Sequence, residues 1–313
     1  MKADEYLLFL FFVLAKTESD RVSFICVYVQ QLLINRFNGA DKCSRRTSMD
    51  LNLKGKVAVI TGSSTGIGAG TARVLASEGC NVVINYFASK EKAEVVAKDI
   101  MGKYGVKAIC VGGDMSKEED IKNLFAETMK EFGTVDILMN NAVNSHDLQF
   151  TPFENFDFDY LRRSEAIIIE GAFLCTKEFI RILKSQNKGG HIVNVVSKSM
   201  YWSSSIFNEV YASCKGAVSA FTRAIAHEYG MEGIYCNAII PGYCNNAMVN
   251  KDSERYKRTI KLLPLGRYAE PEEMGYTVAF LCSDKALQIN GATIDLTGGT
   301  LVGDFVDKSK FVM

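Results

Sequence analysis

Only three histidines stand in this chain of 313 residues, and its nine cysteines include no Cys-x-x-Cys pair. His146, His191 and His227 lie far apart and show no metal-ligand spacing, so no metal site is predicted. The thiols are scattered and odd in number, which argues against a disulfide framework and for a reducing compartment, read here as cytoplasmic. Net charge is also missing, since 36 Lys and Arg offset 36 Asp and Glu. No global field therefore draws the chain toward nucleic acid or an anionic membrane. The basic pairs Arg162-Arg163 and Lys257-Arg258 read as solvated helix faces. Long apolar runs are absent too. Residues 6–15 form a run about half as long as a bilayer requires, and the run over 22–34 is broken by Ser23, Gln30 and Gln31. Finally, no Pro/Gly/Ser-rich linker, internal repeat or low-complexity tract divides the chain from Lys56 onward.

What is present begins with the apolar run Val57-Ala58-Val59-Ile60, a strand pattern, followed by Thr61-Gly62-Ser63-Ser64-Thr65-Gly66-Ile67-Gly68. Glycines between a strand and a helix let the backbone approach a pyrophosphate, and the helix N-terminus adds unpaired N–H groups. The strand-then-helix context is what the motif requires, with the helix expected from Gly66 to Ser77. The next strand, from Asn81 to Tyr86, is expected to end near an adenosine ribose. Asn85, Tyr86 and Phe87 offer no acid for the ribose hydroxyls. Ser89 and Lys90 suit a 2′-phosphate, which inclines the reading slightly toward NADP over NAD.

About 150 residues further on stand Tyr211 and Lys215, one helical turn apart and hence on one face. A free tyrosine titrates near pH 10. A neighbouring ammonium is expected to lower that value toward the range useful for acid–base work. Upstream, the strand pattern His191-Ile192-Val193-Asn194-Val195-Val196 ends at Ser197. A hydroxyl there faces the crevice used for ligands in open α/β sheets, ready to hydrogen-bond a carbonyl or alcohol. Together, loop, serine and Tyr–Lys pair predict an oxidoreductase with a nucleotide cofactor.

These motifs, with Asn140-Asn141-Ala142, Asp114 and Pro241-Gly242, resemble the short-chain dehydrogenase/reductase family in order and spacing, over about Leu53 to Gly303. The stretches Thr61–Gly66, Val82–Tyr86 and Glu270–Glu273 look nearest to the glucose 1-dehydrogenase branch, with the 3-oxoacyl-thioester reductases close behind. The resemblance implies one doubly wound Rossmann-like α/β domain with a mainly parallel sheet of about seven strands. It implies Tyr211 as general acid/base, Lys215 as the residue tuning it and holding the nicotinamide ribose, and Ser197 as the group orienting the reacting oxygen. The remaining cofactor contacts it implies are Gly62, Ser64, Thr65, Gly66, Ile67, Gly68, Tyr86, Asp114, Met115, Asn141, Ala142, Pro241, Gly242 and Cys244. A homotetramer packed through the helices around 160–186 and 209–230 is implied as well. An enoyl reductase is disfavoured, because such relatives place the lysine further from the tyrosine.

The chain departs from the family pattern at three places. Ile168 stands where an asparagine usually supports a water-mediated proton path, Val143 replaces a glycine, and Asn246 replaces a threonine. Ser197 also precedes Tyr211 by fourteen positions, one more than expected, which leaves Ser199 in reserve. Cys214 and Cys244 are either alkylation-sensitive thiols or small apolar fillers. Trp202, Tyr201 and Phe207 suit a substrate wall or ordinary packing, and His146 is placed at the edge of the cleft.

Met49 to Lys56 resembles a native start for this family. Lys2 is offset by Asp4 and Glu5, and no small-residue cleavage site follows. Residues 1–48 are therefore read as lying outside the fold, with Met49 as initiator and 49–313 as the catalytic domain. The rival is a membrane-associating leader. The substrate stays open. Asn245, Asn246, Asn250 and Lys251, in a lid expected over 243–263, suit a sugar, whereas Met248, Leu262 and Leu263 suit an acyl chain. The activities weighed are a sugar dehydrogenase, a 3-oxoacyl-thioester reductase and a nucleotide-binding interaction protein with little turnover.

Overall fold

The computed structural model describes residues 49–143, 152–201, 209–246 and 249–301. Expectations for residues 1–48, His146, Trp202, Phe207 and Met248 lie outside these described residues. The described residues from Leu51 onward belong to a single unit.

Seven strands form one sheet: β1 (Val57–Ile60), β2 (Asn81–Tyr86), β3 (Ala108–Gly112), β4 (Ile137–Asn140), β5 (Gly190–Val195), β6 (Ile234–Pro241) and β7 (Thr293–Leu296). All pairings are parallel, in the order β3-β2-β1-β4-β5-β6-β7. Parallel strands covered on both faces bury both sets of side chains. Accordingly every residue of β1 and β4 is buried. The helices are α1 (Gly66–Ser77), α2 (Lys90–Tyr104), α3 (Glu118–Phe132), α4 (Phe158–Glu165), α5 (Gly171–Ser185), α6 (Glu209–Tyr229), α7 (Glu254–Leu262) and α8 (Pro271–Leu281). A π-helical turn, Ala166–Glu170, joins α4 to α5. Among the described residues, no helix is long and apolar enough to cross a membrane.

Strand order reverses beside β1, so the loops after β1 and β4 leave the sheet in different directions and open a crevice at the carboxyl ends. Gly62, Asn141, Ser197 and Gly242 all follow such ends. A ladder of buried polar groups crosses the sheet below this rim. Asn140 Nδ2 donates to Asn194 Oδ1 at 2.8 Å, and Asn194 Nδ2 donates to Thr222 Oγ1 on α6 at 2.9 Å. Buried amides are costly unless paired. A one-residue slip between β4 and β5 would turn both into apolar surroundings, so this ladder opposes slippage.

Candidate active site

The cradle after β1 is shaped by close approach. Gly62 has φ +62°, and a Cβ there would stand 3.0 Å from Ala142 Cα. A Cβ on Gly68 would come within 2.8 Å of Asn141 Nδ2 and the Gly62 carbonyl. Thr61, which the sequence pattern marks only as part of the loop, clamps the two segments. Its Oγ1 accepts from the backbone N–H groups of Asn141 at 2.9 Å and Ala142 at 3.0 Å. Asn141 Nδ2 returns bonds to the carbonyls of Thr61 and Gly62. Ser64, Thr65, Gly66 and Ile67 complete the turn into α1, where Thr65 makes no side-chain cap. The first N–H groups of α1 thus face the crevice without that cap upon them, the arrangement that accepts a phosphate.

Asn85 has a structural role that sequence reasoning missed. It does not reach toward a ribose: it is 1% exposed and joins the loop to β3. Its Oδ1 accepts from Gly62 N at 2.9 Å, and its Nδ2 donates to the Val111 and Gly113 carbonyls at 3.3 and 3.2 Å. The reason is parity, since neighbouring residues of a strand face opposite sides. Asn85 turns inward, whereas Tyr86 at the rim lays its ring over Gly112 and Phe87 is exposed. Asn85→Ala removes an acceptor and two donors from a dry site. It is expected to lower unfolding free energy by about 2–4 kcal/mol and to weaken cofactor binding. Urea unfolding with a cofactor titration checks this, and unchanged stability would refute the structural role.

At the end of β3, Asp114 Oδ1 accepts from Ser116 N and Oγ at 3.0 and 2.8 Å, which fixes its carboxylate at the rim. Met115 is buried behind it, with its sulfur 3.9 Å from that of Cys175. After β6, Gly242 passes so close to Thr297 that a Cβ would meet its backbone at 2.9 Å. Val143 is partly exposed at the crevice. Asn246 faces the phosphate loop, its Cβ 3.9 Å from where a Cβ on Gly66 would lie.

Ser197, Tyr211 and Lys215 come together across β5 and α6. Ser197 hydrogen-bonds Tyr211 and accepts from Ser199 N at 3.3 Å, the two serine hydroxyls lying 2.8 Å apart. The tyrosine's direct partner is therefore Ser197, with Ser199 supporting it. Lys215 is 3% exposed and donates to the Val195 carbonyl at 2.6 Å. Its Nζ lies 5.7 Å from the centroid of the Tyr211 ring.

The expected lowering of the tyrosine pKa by its lysine is not found. Burial pushes the Tyr211 phenol up to about 12, with the Ser197 hydrogen bond acting the other way. Burial also pushes the Lys215 ammonium down to about 8. Desolvation penalises both charged forms, and the Lys215 ammonium is directed at the Val195 carbonyl, not at the phenol oxygen. Tyr211 is accordingly held as a neutral proton donor. Burial likewise raises the Cys214 thiol to about 11 and the Cys244 thiol to about 12. Both behave as apolar fillers, not thiolates.

Ile168 is 5% exposed and packs with Tyr160, Ala172, Val210 and Val218. It lies in the π-turn, a feature found often at functional sites and without a sequence signal here. Behind it a cavity of about 10 Å³ is bordered by Ile168, Asn140 and Lys215, and the buried Asn140 Oδ1 has no hydrogen-bond partner among the described residues. Of the lid, α7 is formed. Asn245 Nδ2 donates to Glu270, just before α8, at 2.6 Å, while its buried Oδ1 has no hydrogen-bond partner among the described residues; Asn250 Oδ1 accepts from Asp252 N at 2.9 Å. Among the described residues, no group of His, Cys, Asp and Glu has the form of a metal site.

This arrangement has counterparts in known proteins. A family profile described as enoyl-(acyl carrier protein) reductase matches residues 62–300. A 3-oxoacyl-[acyl-carrier-protein] reductase (FabG) of Aquifex aeolicus is 35% identical over 252 residues, covering 80% of this chain and 99% of that protein. A short-chain dehydrogenase/reductase of Serratia marcescens superposes with a TM-score of 0.74 at 30% identity, over 80% of this chain and 99% of that one. A short-chain dehydrogenase of Burkholderia cenocepacia, solved with NADP, gives 0.72 at 26% identity, over 79% and 98%. The chain belongs to the short-chain dehydrogenase/reductase family and is an oxidoreductase of that class.

Proposed function

We propose that this protein reduces the ketone of a 3-oxoacyl thioester to a secondary alcohol, using NADPH. The observation that carries the chemistry is the meeting of Ser197, Tyr211 and Lys215 at the carboxyl ends of the strands, beside a cradle where a Cβ on Gly62 or Gly68 would crowd its neighbours. The cradle and the uncapped start of α1 fit a dinucleotide pyrophosphate. Gly62, Ser64, Thr65, Gly66, Ile67 and Gly68 would hold it, Asp114 and Met115 would border the adenine, and Tyr86 the ribose. Asn141, Ala142, Pro241, Gly242 and Cys244 would line the nicotinamide end.

When bound, the nicotinamide supplies the hydride. Ser197 holds the substrate oxygen by a hydrogen bond. Tyr211 donates its proton to that oxygen as negative charge develops there. Lys215 balances the resulting phenolate and binds the ribose. The NADPH assignment draws on the missing acid after β2 and on the NADP bound by the Burkholderia protein.

The substrate branch draws on the name of the Aquifex relative and on Leu262 of α7, which is exposed. A sugar dehydrogenase is the reading favoured by Asn245, whose buried Oδ1 has no hydrogen-bond partner among the described residues, and by the exposed Lys251. A nucleotide-binding protein with little turnover is the reading favoured by the apolar packing of Ile168. NADPH consumption measured against paired oxoacyl-thioester and aldose panels tests the choice. Turnover of acetoacetyl thioesters supports the reductase, turnover confined to aldoses transfers the site to sugars, and cofactor binding without turnover supports the third reading.

We further read residues 1–48 as outside the catalytic fold, the compartment as cytoplasmic and the assembly as a homotetramer. Phe173 on α5 is 44% exposed and stacked at 3.8 Å on Phe221 of α6, an apolar feature suited to a subunit contact.

A further inference from the structure

Lys198 has no part in the fold or in the chemistry above. It follows Ser197 directly, in the short turn Lys198–Met200. Its side chain crosses from the end of β5 to the end of β6, where Nζ stands 4.5 Å from the centroid of the Tyr243 ring. Tyr243 follows the Pro241-Gly242 turn and begins a run of three rings. Its centroid is 5.3 Å from that of Tyr268, which lies 4.7 Å from that of Tyr256 on α7. The ammonium thus sits at the crevice, between the serine and the helix of the lid.

Several cations on neighbouring elements are neutralised, while Arg255, Arg258 and Lys261 on α7 are exposed to water. Arg162 pairs with Asp159, Lys257 with Glu254 and Arg267 with Glu273. Lys198 has no carboxylate partner among the described residues. Burial alone shifts its titration, lowering its pKa. A half-buried ammonium on a ring face gains some attraction from the π-system, yet without a counter-charge it keeps most of its desolvation cost. An anion arriving at the crevice would remove that cost.

We propose that Lys198, steadied by Tyr243, is a specificity-determining residue that binds an anionic group of the substrate at the mouth of the crevice. The anion is either the carboxylate of a short oxo acid or a phosphate of a pantetheine-type thioester, and its role as substrate rests on the reduction proposed above.

Both sources are separated by three ketones assayed with the full chain and NADPH. Acetoacetate carries a carboxylate, acetoacetyl-CoA carries phosphates, and acetoacetyl-N-acetylcysteamine carries neither. Lys198→Met is expected to lower the ratio of kcat/KM for the anionic substrate to that for the neutral one by about 10–100-fold, chiefly through KM. Lys198→Arg should keep most of that ratio. A ratio lost for acetoacetate identifies the carboxylate, and one lost for acetoacetyl-CoA identifies the phosphate. A merely structural role would lower all three alike, so an unchanged ratio overturns the inference.

Should the wild-type protein reduce none of the three, the reductase reading fails on its own. Lys198 is then tested by thermal shift of the NADPH-saturated protein with acetoacetate and with phosphopantetheine. A shift abolished in Lys198→Met supports anion binding, while equal shifts or none overturn it.

Discussion

Tyr211→Phe should reduce turnover by about 10²–10⁴-fold, the range for removing a positioned acid, with a much smaller change in cofactor affinity. The substitution deletes one hydroxyl and preserves the ring that packs beside Ile168 and Val210. What disappears is the proton donor hydrogen-bonded to Ser197. The measurement is NADPH oxidation against acetoacetyl thioesters, with fluorescence titration of NADPH to show that the cradle is intact. A variant retaining wild-type turnover would remove Tyr211 from the mechanism. It would leave the fold and the family untouched.

The second large effect has opposite signs for activity and stability. Lys215→Met should abolish most turnover yet make the protein more stable at neutral pH. Folding carries this ammonium to a position 3% exposed and lowers its pKa from 10.5 to about 8. By linkage, such a shift corresponds to about 3 kcal/mol of destabilisation below pH 8. The bond donated to the Val195 carbonyl is lost in the variant, at about 1 kcal/mol, so the net gain should be roughly 1–3 kcal/mol. Between the folded and unfolded pKa the unfolded chain binds more protons. Wild-type stability therefore rises with pH across that window, from about 8 to 10.5. The advantage of the methionine variant shrinks across the same window and is gone above it. Urea unfolding of both proteins at neutral and alkaline pH checks this. A variant less stable than wild type throughout would show that the lysine is a structural asset and not a buried liability kept for function.

Those two residues were legible because their chemistry is local. Tyr211 and Lys215 share a helical turn, and a regular helix must place them on one face. Likewise Gly62 and Gly68 between an apolar strand and a helix announced a close approach, which Ala142 and Asn141 supply. The structural role of Asn85 had no sequence signal, because the pleat that directs its amide inward to Gly62 and Gly113 joins segments distant in the chain. Asn194 gave a faint signal as a lone amide in an apolar strand. Its partners, Asn140 and Thr222, are 54 and 28 residues away, and no spacing rule connects them.

Local pattern by itself determined the strand–helix alternation, the glycine cradle, the serine at a strand end and the Tyr–Lys face, because each follows from periodicity or covalent neighbourhood. Only the tertiary structure decided which charges survive. The influence of Lys215 on Tyr211 depends on how deeply both are buried and on where the ammonium is directed. The same holds for Lys198, whose lack of a carboxylate partner among the described residues emerges once β5, β6 and the lid are assembled around it. Desolvation and pairing are properties of a three-dimensional neighbourhood, and sequence spacing does not contain them.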